Sequence, residues 1–234
     1  MACLYLVPSF LGIDEYDSVF PAVNRVVIFD IKTFIVEDIR TARRFLKKIK
    51  YPHDFEEVNF LILNEHSKDV KTEDYLKDII EGKDVALMSD AGMPCIADPG
   101  SIIVAAAHNK NIEVNPLIGP SSLFLALAGS GFNGQSFCFH GYLPIKPFER
   151  VSKIKSLESQ SSKLNQTQIF IEAPYRNNSL IKDILSTCNL NTYLCIAIDI
   201  NSPQQYIKTK TIKCWKDINI DFNKRPAVFI IYAL

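Results

Sequence analysis

Ser89-Asp-Ala-Gly-Met-Pro-Cys-Ile-Ala-Asp-Pro-Gly100 is the stretch that decides the fold, because it joins a predicted buried strand to a predicted helix. The apolar run at residues 84–88 predicts the strand, and the Ile- and Ala-rich run at 99–109 predicts the helix. In open α/β sheets, ligands bind outside the carboxyl ends of the strands. Asp90 lies just beyond the end of this strand, after Ser89, and is therefore expected at that edge.

The residue types in this stretch are suited to a ligand. The carboxylate of Asp90 can accept hydrogen bonds from ribose hydroxyls or from an ammonium group. Gly92 and Gly100 carry no Cβ and let the backbone approach a ligand closely. Met93 and Ile96 offer apolar contact to a purine or a methyl-sulfonium. The stretch contains neither GxGxxG nor GxxxxGK[ST], so the dinucleotide and P-loop fingerprints do not apply.

Part of the stretch also has a purely structural interpretation. Asp98 followed by Pro99 is typical of a helix start, with Asp as the N-cap and Pro in the first helical position. That interpretation is favoured for these two residues. It does not account for the segment at 90–92, where a polar residue ends a hydrophobic strand.

Strand-like and helix-like runs alternate along the whole chain, which predicts an α/β fold with mostly parallel sheets. The Pro- and Gly-bearing segment near residues 116–120 divides it into two α/β domains, 1–116 and 117–234. The polar tract 156–168 is expected to be a loop or hairpin. Strands are predicted at 4–7, 25–29, 33–36, 59–63, 84–88, 112–114, 137–139, 168–171, 193–198 and 227–232, and helices at 37–50, 72–81, 99–109, 121–130, 147–158 and 175–187.

Composition excludes several classes of protein. The 234 residues are 47% hydrophobic and 22% charged, which is ordinary for a globular protein and argues against disorder. The 26 Lys and Arg residues balance the 26 Asp and Glu residues, whereas duplex-binding proteins are usually basic; RNA binding through a local patch stays open. The sequence contains no CxxC pair, so no metal is expected. No apolar run reaches about 18 residues, so a cytoplasmic location without a membrane span is expected.

The segment at 89–100 closely resembles the signature of the tetrapyrrole methylase superfamily, nearest the branch that methylates the 2′-oxygen of a cytidine in small-subunit ribosomal RNA. Four further segments resemble motifs of that branch, in the same order along the chain. They are Val36-Glu-Asp-Ile-Arg-Thr-Ala-Arg43, Gly119-Pro-Ser-Ser-Leu-Phe-Leu-Ala-Leu-Ala-Gly-Ser-Gly131, Phe139-His-Gly-Tyr-Leu-Pro144 and Ile171-Glu-Ala-Pro-Tyr-Arg176.

The resemblance implies an S-adenosylmethionine-dependent methyltransferase, usually a homodimer, with a cofactor cleft between two α/β domains and ribosomal RNA as a partner. Carried over by position, the cofactor contacts come from the end of the first strand, from the signature loop, from the start of the second domain and from a later strand end. The implied residues are Pro8, Ser89, Asp90, Ala91, Gly92, Met93, Ile96, Ser121, Ser122 and Glu172.

The catalytic base and the substrate contacts stay open. Transfer to a hydroxyl requires a base, and the candidates are Glu37, Asp38, Glu65, His66 and Glu172. Glu37 and Asp38 equally suit the first turn of a helix, where acids complement the macrodipole. Arg40, Arg43 and Arg176 are candidate RNA contacts, although Arg176 could simply pair with Glu172.

Two segments differ from the branch and keep two alternatives in view. Ser9-Phe-Leu-Gly-Ile13 stands where the branch has Thr-Pro-Ile-Gly-Asn, and Asp199-Ile-Asn-Ser202 stands where it has Glu-Leu-Thr-Lys. One alternative is a methyltransferase of the same fold with another acceptor, such as a tetrapyrrole or a protein side chain. The other is a cofactor-binding paralogue without turnover.

Overall fold

The computed structural model describes residues 2–64, 67, 71–219 and 221–234, and these form two compact units, Met1–Ser121 and Ser122–Leu234. Each unit contains one five-stranded sheet with helices packed against it. Within the described residues, no helix combines the length and the apolar character needed to cross a bilayer.

The first unit is built on a wholly parallel sheet with the strand order β3-β2-β4-β1-β5. Parallel neighbours need crossover connections, and helices supply them here. The elements are β1 (Cys3–Val7), α1 (Ala22–Asp30), β2 (Thr33–Val36), α2 (Ile39–Lys48), β3 (Asn59–Ile62), α3 (Thr72–Ile80), β4 (Val85–Met88), α4 (Ser101–Asn109) and β5 (Glu113–Pro116).

Side chains that alternate along the strands build a core on each face of this sheet. Ala86 and Met88 of β4 pack with α1 and α2, whereas Val85 and Leu87 pack with α3 and α4. Crossovers that run in opposite directions and keep the right-handed sense place their helices on opposite faces. The chain therefore leaves the carboxyl ends of β1 and β4, which are neighbours, toward opposite faces of the sheet, which is the arrangement that opens a crevice in α/β sheets.

The second unit confirms the α/β prediction but has a mixed sheet, with the order β6-β7-β10-β8-β9. Only β6 and β7 are parallel neighbours; the other three pairs are antiparallel. The expectation of mostly parallel sheets therefore holds for the first unit and fails for the second, where β8 and β9 follow each other through a short turn. The elements are α5 (Ser122–Ser130), β6 (Phe137–Tyr142), α6 (Pro147–Leu164), β7 (Thr167–Ile171), α7 (Asn177–Thr187), β8 (Tyr193–Ile198), β9 (Tyr206–Thr211), α8 (Ile212–Lys216) and β10 (Ala227–Tyr232).

Two predicted segments have a different secondary structure. Residues 25–29 are predicted as a strand but lie within α1. The polar tract 156–168, predicted as a loop or hairpin, contains the end of α6 and the first residues of β7. The buried positions of α6 are Arg150, Ile154, Leu157 and Ser161, which are spaced as one helical face. Because an arginine and a serine hold two of these four positions, the apolar periodicity does not extend into the tract.

The segment 117–121 belongs to the first unit by its contacts, so the observed division lies after the boundary predicted at residue 116. Leu117 donates its backbone N–H to Leu6 at 2.9 Å, and Asn24 Nδ2 donates to the carbonyl of Ile118 at 2.7 Å. A methyl group on Gly119 would overlap the ring of Pro8. The close approach of these two residues fixes the end of β1 against the segment that leads out of the unit.

Gly119→Ala is expected to destabilise the protein, because the rigid Pro8 ring cannot move aside without shifting β1. Overpacking of this kind costs about 1–3 kcal/mol of unfolding free energy. Gly134→Ala is the matched control, since a Cβ there has open space around it. Urea denaturation of both variants measures the difference, and equal midpoints for the two would contradict the packing described for Gly119.

Candidate active site at the carboxyl edge of the first sheet

Hydrogen bonds tie the carboxyl ends of β1 and β4 together. The backbone N–H of Ser9 donates to the carbonyl of Gly92 at 2.9 Å, and the Ser9 hydroxyl donates to the carbonyl of Ser89. The Ser89 hydroxyl in turn donates to the Gly92 carbonyl at 3.1 Å. Both serines are buried, so these bonds are protected from competing water. They hold the start of the signature loop, residues 89–100, against the end of β1.

The rest of the signature loop is held by Asp98. Its carboxylate accepts from the N–H of Cys95 at 2.7 Å and from the N–H of Gly100 at 2.8 Å. Helix α4 begins at Ser101, so Asp98 closes a turn within the loop and is not the N-cap. Cys95 and Ala97 have φ of 67° and 64°, in the left-handed region that non-glycine residues rarely adopt. Strained backbone of this kind clusters at functional sites.

A thiol nucleophile is excluded from the loop at neutral pH. Burial, assisted by the carboxylate of Asp98, raises the pKa of Cys95 to about 12. The thiolate is the nucleophilic form, and it is absent at pH 7 with such a pKa.

Three carboxylates from two neighbouring strands meet at this edge. Asp90 follows β4, and Glu37 and Asp38 follow β2, which pairs with β4 in parallel. The N–H of Asp90 donates to Oε1 of Glu37 at 3.1 Å. Desolvation raises the pKa of the Asp90 carboxyl, the negative charge of Asp38 raises it further, and a backbone hydrogen bond from Asp38 opposes the shift. The side chain of Asp90 is nevertheless exposed, so a ligand can reach it.

Asp38 also has a structural role. It is the N-cap of α2 and accepts from the N–H of Thr41 at 2.8 Å and from the Thr41 hydroxyl at 3.0 Å. These two bonds lower the pKa of Asp38 below its ordinary value. A carboxylate used in this way is a weak proton acceptor, which favours Glu37 over Asp38 as the base among the two.

The remaining residues predicted on the first unit differ in exposure. Pro8 and Gly92 are buried, and Gly92 has φ of 74° with Leu11 and Pro120 close to its Cα. Met93 and Ser121 are half-buried, and Ala91 and Ile96 are exposed. Ser9 was missed as a site residue. Its signal in the sequence is a polar side chain directly after a buried strand, the same signal that identified Asp90.

The residues predicted on the second unit lie at two places. Ser122 is the first residue of α5, and Glu172 follows β7. Glu172 is buried, and its Oε1 accepts from the N–H of Ala173 at 2.7 Å and from Nε of Arg176 at 2.8 Å. Its Oε2 is buried and has no hydrogen-bond partner within the described chain. An orphaned buried carboxylate oxygen costs free energy and indicates an acceptor whose donor comes from elsewhere.

The predicted substrate arginines are occupied to different degrees. Arg176 pairs with Glu172 and contacts Tyr175, and Arg43 lies over the rings of Phe55 and Phe60 at 5.6 Å and 5.3 Å. Arg40 is exposed on the first turn of α2. Glu65 and His66, which were candidate bases, lie outside the residues that the structure describes.

Asp90→Asn is expected to raise the melting temperature at pH 7, since the ionised form of Asp90 is desolvated and repelled by Asp38 in the folded state. The gain should shrink as the pH falls toward 3.8, the ordinary pKa, because Asp90 is then protonated in the unfolded chain as well. Asp38→Asn is expected to do the opposite at pH 7, because its lowered pKa marks a stabilising charge. Thermal unfolding followed by circular dichroism at several pH values measures the melting temperatures of both variants. A destabilised Asp90→Asn protein at pH 7 would contradict the raised pKa of Asp90.

Comparison with known proteins identifies the family. The sequence profile of the Tetrapyrrole (Corrin/Porphyrin) Methylases matches residues 26–213. The chain is 33% identical over 233 residues to the "Ribosomal RNA small subunit methyltransferase I" of Buchnera aphidicola subsp. Schizaphis graminum, covering 97% of this chain and 77% of that protein. The protein of the same name from Thermotoga maritima is 37% identical over 158 residues, covering 67% of this chain and 66% of that protein.

A solved structure supports the fold independently. The crystal structure of the methyltransferase CobJ superposes with a TM-score of 0.63 at 14% identity and covers 100% of this chain and 95% of that one. At this identity the likeness concerns the fold and not the substrate. The profile and the relatives confirm the resemblance carried by the five sequence motifs. The chain therefore belongs to the tetrapyrrole (corrin/porphyrin) methylase family and is a methyltransferase.

Proposed function

We propose that this methyltransferase binds S-adenosylmethionine at the signature loop, with Asp90 as the central contact. The observation that carries the proposal is the exposed Asp90 carboxylate at the carboxyl end of β4, beside the end of β1. The crevice rule for α/β sheets favours a ligand at this position. A carboxylate suits the cofactor, which offers ribose hydroxyls and an ammonium as donors and carries a sulfonium charge.

The residues around Asp90 would shape the cofactor contact. Glu37 fixes the Asp90 backbone, and the bonds from Ser9 and Ser89 fix the loop, so the carboxylate is positioned before the ligand arrives. Met93 would supply apolar contact beside it. We include Pro8, Ala91, Gly92, Ile96, Ser121 and Ser122 in the proposed site on the basis of the family motifs.

Glu172 is proposed as a contact from the second unit. Its buried Oε2 needs a donor, and the amino group of an adenine or a ribose hydroxyl has the right chemistry. Arg176 would keep Glu172 oriented through the bond from its Nε. In this arrangement Arg176 is a positioning residue. Of the three predicted substrate arginines, Arg40 is then the one most available to bind the substrate.

The cofactor, when bound, supplies an activated methyl group on a sulfonium with a good leaving group. The protein then has mainly to align the donor and the acceptor and to remove the acceptor's proton. Glu37 is the proposed base, since its carboxylate lies at the same edge as Asp90. If Glu37 instead serves only to hold the loop, Glu37→Ala, which removes the acceptor for the Asp90 N–H, will weaken cofactor binding together with turnover.

The proposed acceptor is a ribose 2′-hydroxyl of small-subunit ribosomal RNA, following the names of the relatives. We propose further that the protein acts as a homodimer in the cytoplasm, where ribosomes are assembled. Two alternatives follow from the changed segments at 9–13 and 199–202: another acceptor on the same fold, or cofactor binding without turnover. Transfer of labelled methyl separates the three functions.

Asp90→Ala is expected to weaken S-adenosylmethionine binding by about 10- to 100-fold, the usual loss for one or two hydrogen bonds to a charged group. Isothermal titration calorimetry measures the affinity. Asp54→Ala is the matched control, because it removes an exposed acid of the same unit that lies outside the proposed site. Wild-type affinity in Asp90→Ala would exclude the proposed pocket.

Glu37→Gln is expected to lower the rate of methyl transfer by about 100-fold or more while changing cofactor affinity little, as expected for loss of a general base. The assay supplies labelled cofactor with protein-free ribosomal RNA or with small ribosomal subunits. Incorporation by the wild type supports the RNA acceptor. Absence of incorporation into either substrate, together with tight cofactor binding, would favour the alternatives.

A further inference from the structure

The zero net charge of the chain hides an opposite charge on each unit. Residues 1–121 contain 13 Lys and Arg against 19 Asp and Glu, whereas residues 122–234 contain 13 against 7. The first unit therefore carries a formal charge of −6 and the second a charge of +6. A segregated excess of this size is typical of a domain with a polyanionic partner.

The excess positive charge of the second unit resides in unpaired lysines. All of its Lys and Arg residues lie in the described part of the chain. Its three arginines and Lys146 form ion pairs with carboxylates. Within the described residues, no carboxylate lies within ion-pair distance of the other nine lysines: Lys153, Lys155, Lys163, Lys182, Lys208, Lys210, Lys213, Lys216 and Lys224.

Five of these lysines lie on the neighbouring elements β9, α8 and α7 and are here called the lysine strip: Lys182, Lys208, Lys210, Lys213 and Lys216. Lys208 and Lys210 lie on β9, the edge strand, opposite Ile196 and Leu194 of β8. They therefore project on the side of the sheet where α7 and α8 pack, because paired residues share a face. Lys213 and Lys216 lie on α8, which contacts both β9 and α7.

The strip ends in a groove between α7 and α8 with a volume of about 410 Å³. Lys182 and Lys216 line it together with the polar side chains of Asn178 and Ser186. Ile181, Leu185 and Ile218 form its apolar lining, and the Ser186 hydroxyl already donates to the carbonyl of Asp183 at 3.0 Å. The two ammonium groups are therefore the donors that the groove offers to phosphate oxygens.

The acids near the strip do not neutralise it. Three acids lie near it: Asp183 and Asp217 are next to strip lysines in sequence, and Asp221 follows shortly after. None of them lies within ion-pair distance of a described strip lysine, and Asp183 pairs with Arg150 instead. Asp221 accepts hydrogen bonds from Nδ2 of Asn178 at 2.8 Å and from the N–H of Asn223 at 3.1 Å. The segment from Tyr206 to Lys216 contains four lysines and no acid.

We propose that the lysine strip is the docking surface for the phosphate backbone of the RNA substrate, a proposal that rests on the function proposed above. Edge lysines also discourage strand pairing, which would account for Lys208 and Lys210. It would not account for Lys182, Lys213 and Lys216, which lie on helices and extend the same charge around the sheet edge. A backbone-reading surface of lysines gives affinity and orientation, and the sequence of the RNA would be read elsewhere.

The test compares two triple variants that remove the same number of helical lysines from the same unit. Lys182→Gln/Lys213→Gln/Lys216→Gln removes three strip charges, and Lys153→Gln/Lys155→Gln/Lys163→Gln removes three charges from α6. Binding to transcribed small-subunit ribosomal RNA is measured at several salt concentrations. Log affinity decreases with log salt, and for three lost phosphate contacts the slope of the strip variant should be shallower by about 2 units than that of the wild type. Its affinity at 0.1 M salt should be at least tenfold lower.

The control triple variant should keep a slope close to that of the wild type. Equal slopes for the two triple variants would overturn the proposal, and so would wild-type binding to anionic phospholipid vesicles that is tighter than binding to RNA. Calorimetry with S-adenosylmethionine separates this outcome from failure of the proposed function. The strip variant should bind the cofactor as the wild type does, whereas a wild type that neither binds the cofactor nor methylates RNA would contradict the proposed function itself.

Discussion

The hydrogen bonds from Ser9 to the signature loop are the constraint on which the candidate site depends. They join the carboxyl ends of β1 and β4, the two strands from which the chain departs toward opposite faces of the first sheet. Without these bonds nothing would fix the start of the loop to the end of β1, and Asp90 would have no fixed position. Further along the loop, the Asp98 carboxylate accepts from the N–H groups of Cys95 and Gly100 and so holds the unfavourable backbone angles at Cys95 and Ala97.

The two units carry opposite net charges. The first unit is acidic and presents Glu37, Asp38 and Asp90 at one edge, which suits a cofactor with a positive sulfonium. The second unit is basic and presents unpaired lysines, which suits a polyanion. Neither property is visible in the total charge of the chain, because the two contributions cancel.

Sequence reasoning succeeded where local and global preferences agree. The strand before Asp90, the loop and α4 carry consistent signals, and so does the amphipathic helix α2. The strand predicted at residues 25–29 was wrong, because a Val-Val-Ile-Phe run favours a strand locally, whereas joining the parallel strands β1 and β2 requires a helix. The end of α6 was not predicted as helix because its buried face includes the polar residue Ser161. The Ser161 hydroxyl accepts a hydrogen bond from the N–H of Ala233 at 2.9 Å.

Other features were beyond any sequence pattern. Strand β9 was missed because its alternating lysines and threonines lack an apolar face, as edge strands often do. The buried, unpartnered Oε2 of Glu172 emerges only when distant segments of the chain meet. The turn closed by Asp98 was interpreted as a helix cap, because an acid before a proline occurs both in helix caps and in turns of this kind. The two differ only in the N–H groups from which the carboxylate accepts hydrogen bonds.

The central claim is that the loop joined to β1 by Ser9 holds a sulfonium nucleoside through Asp90. A crystal structure of the protein with S-adenosylhomocysteine tests it most directly. We expect the nucleoside at the carboxyl end of β4, with a ribose hydroxyl or the amino group donating to the Asp90 carboxylate. A nucleoside bound at another place, or an Asp90 side chain turned toward solvent in the complex, would contradict it.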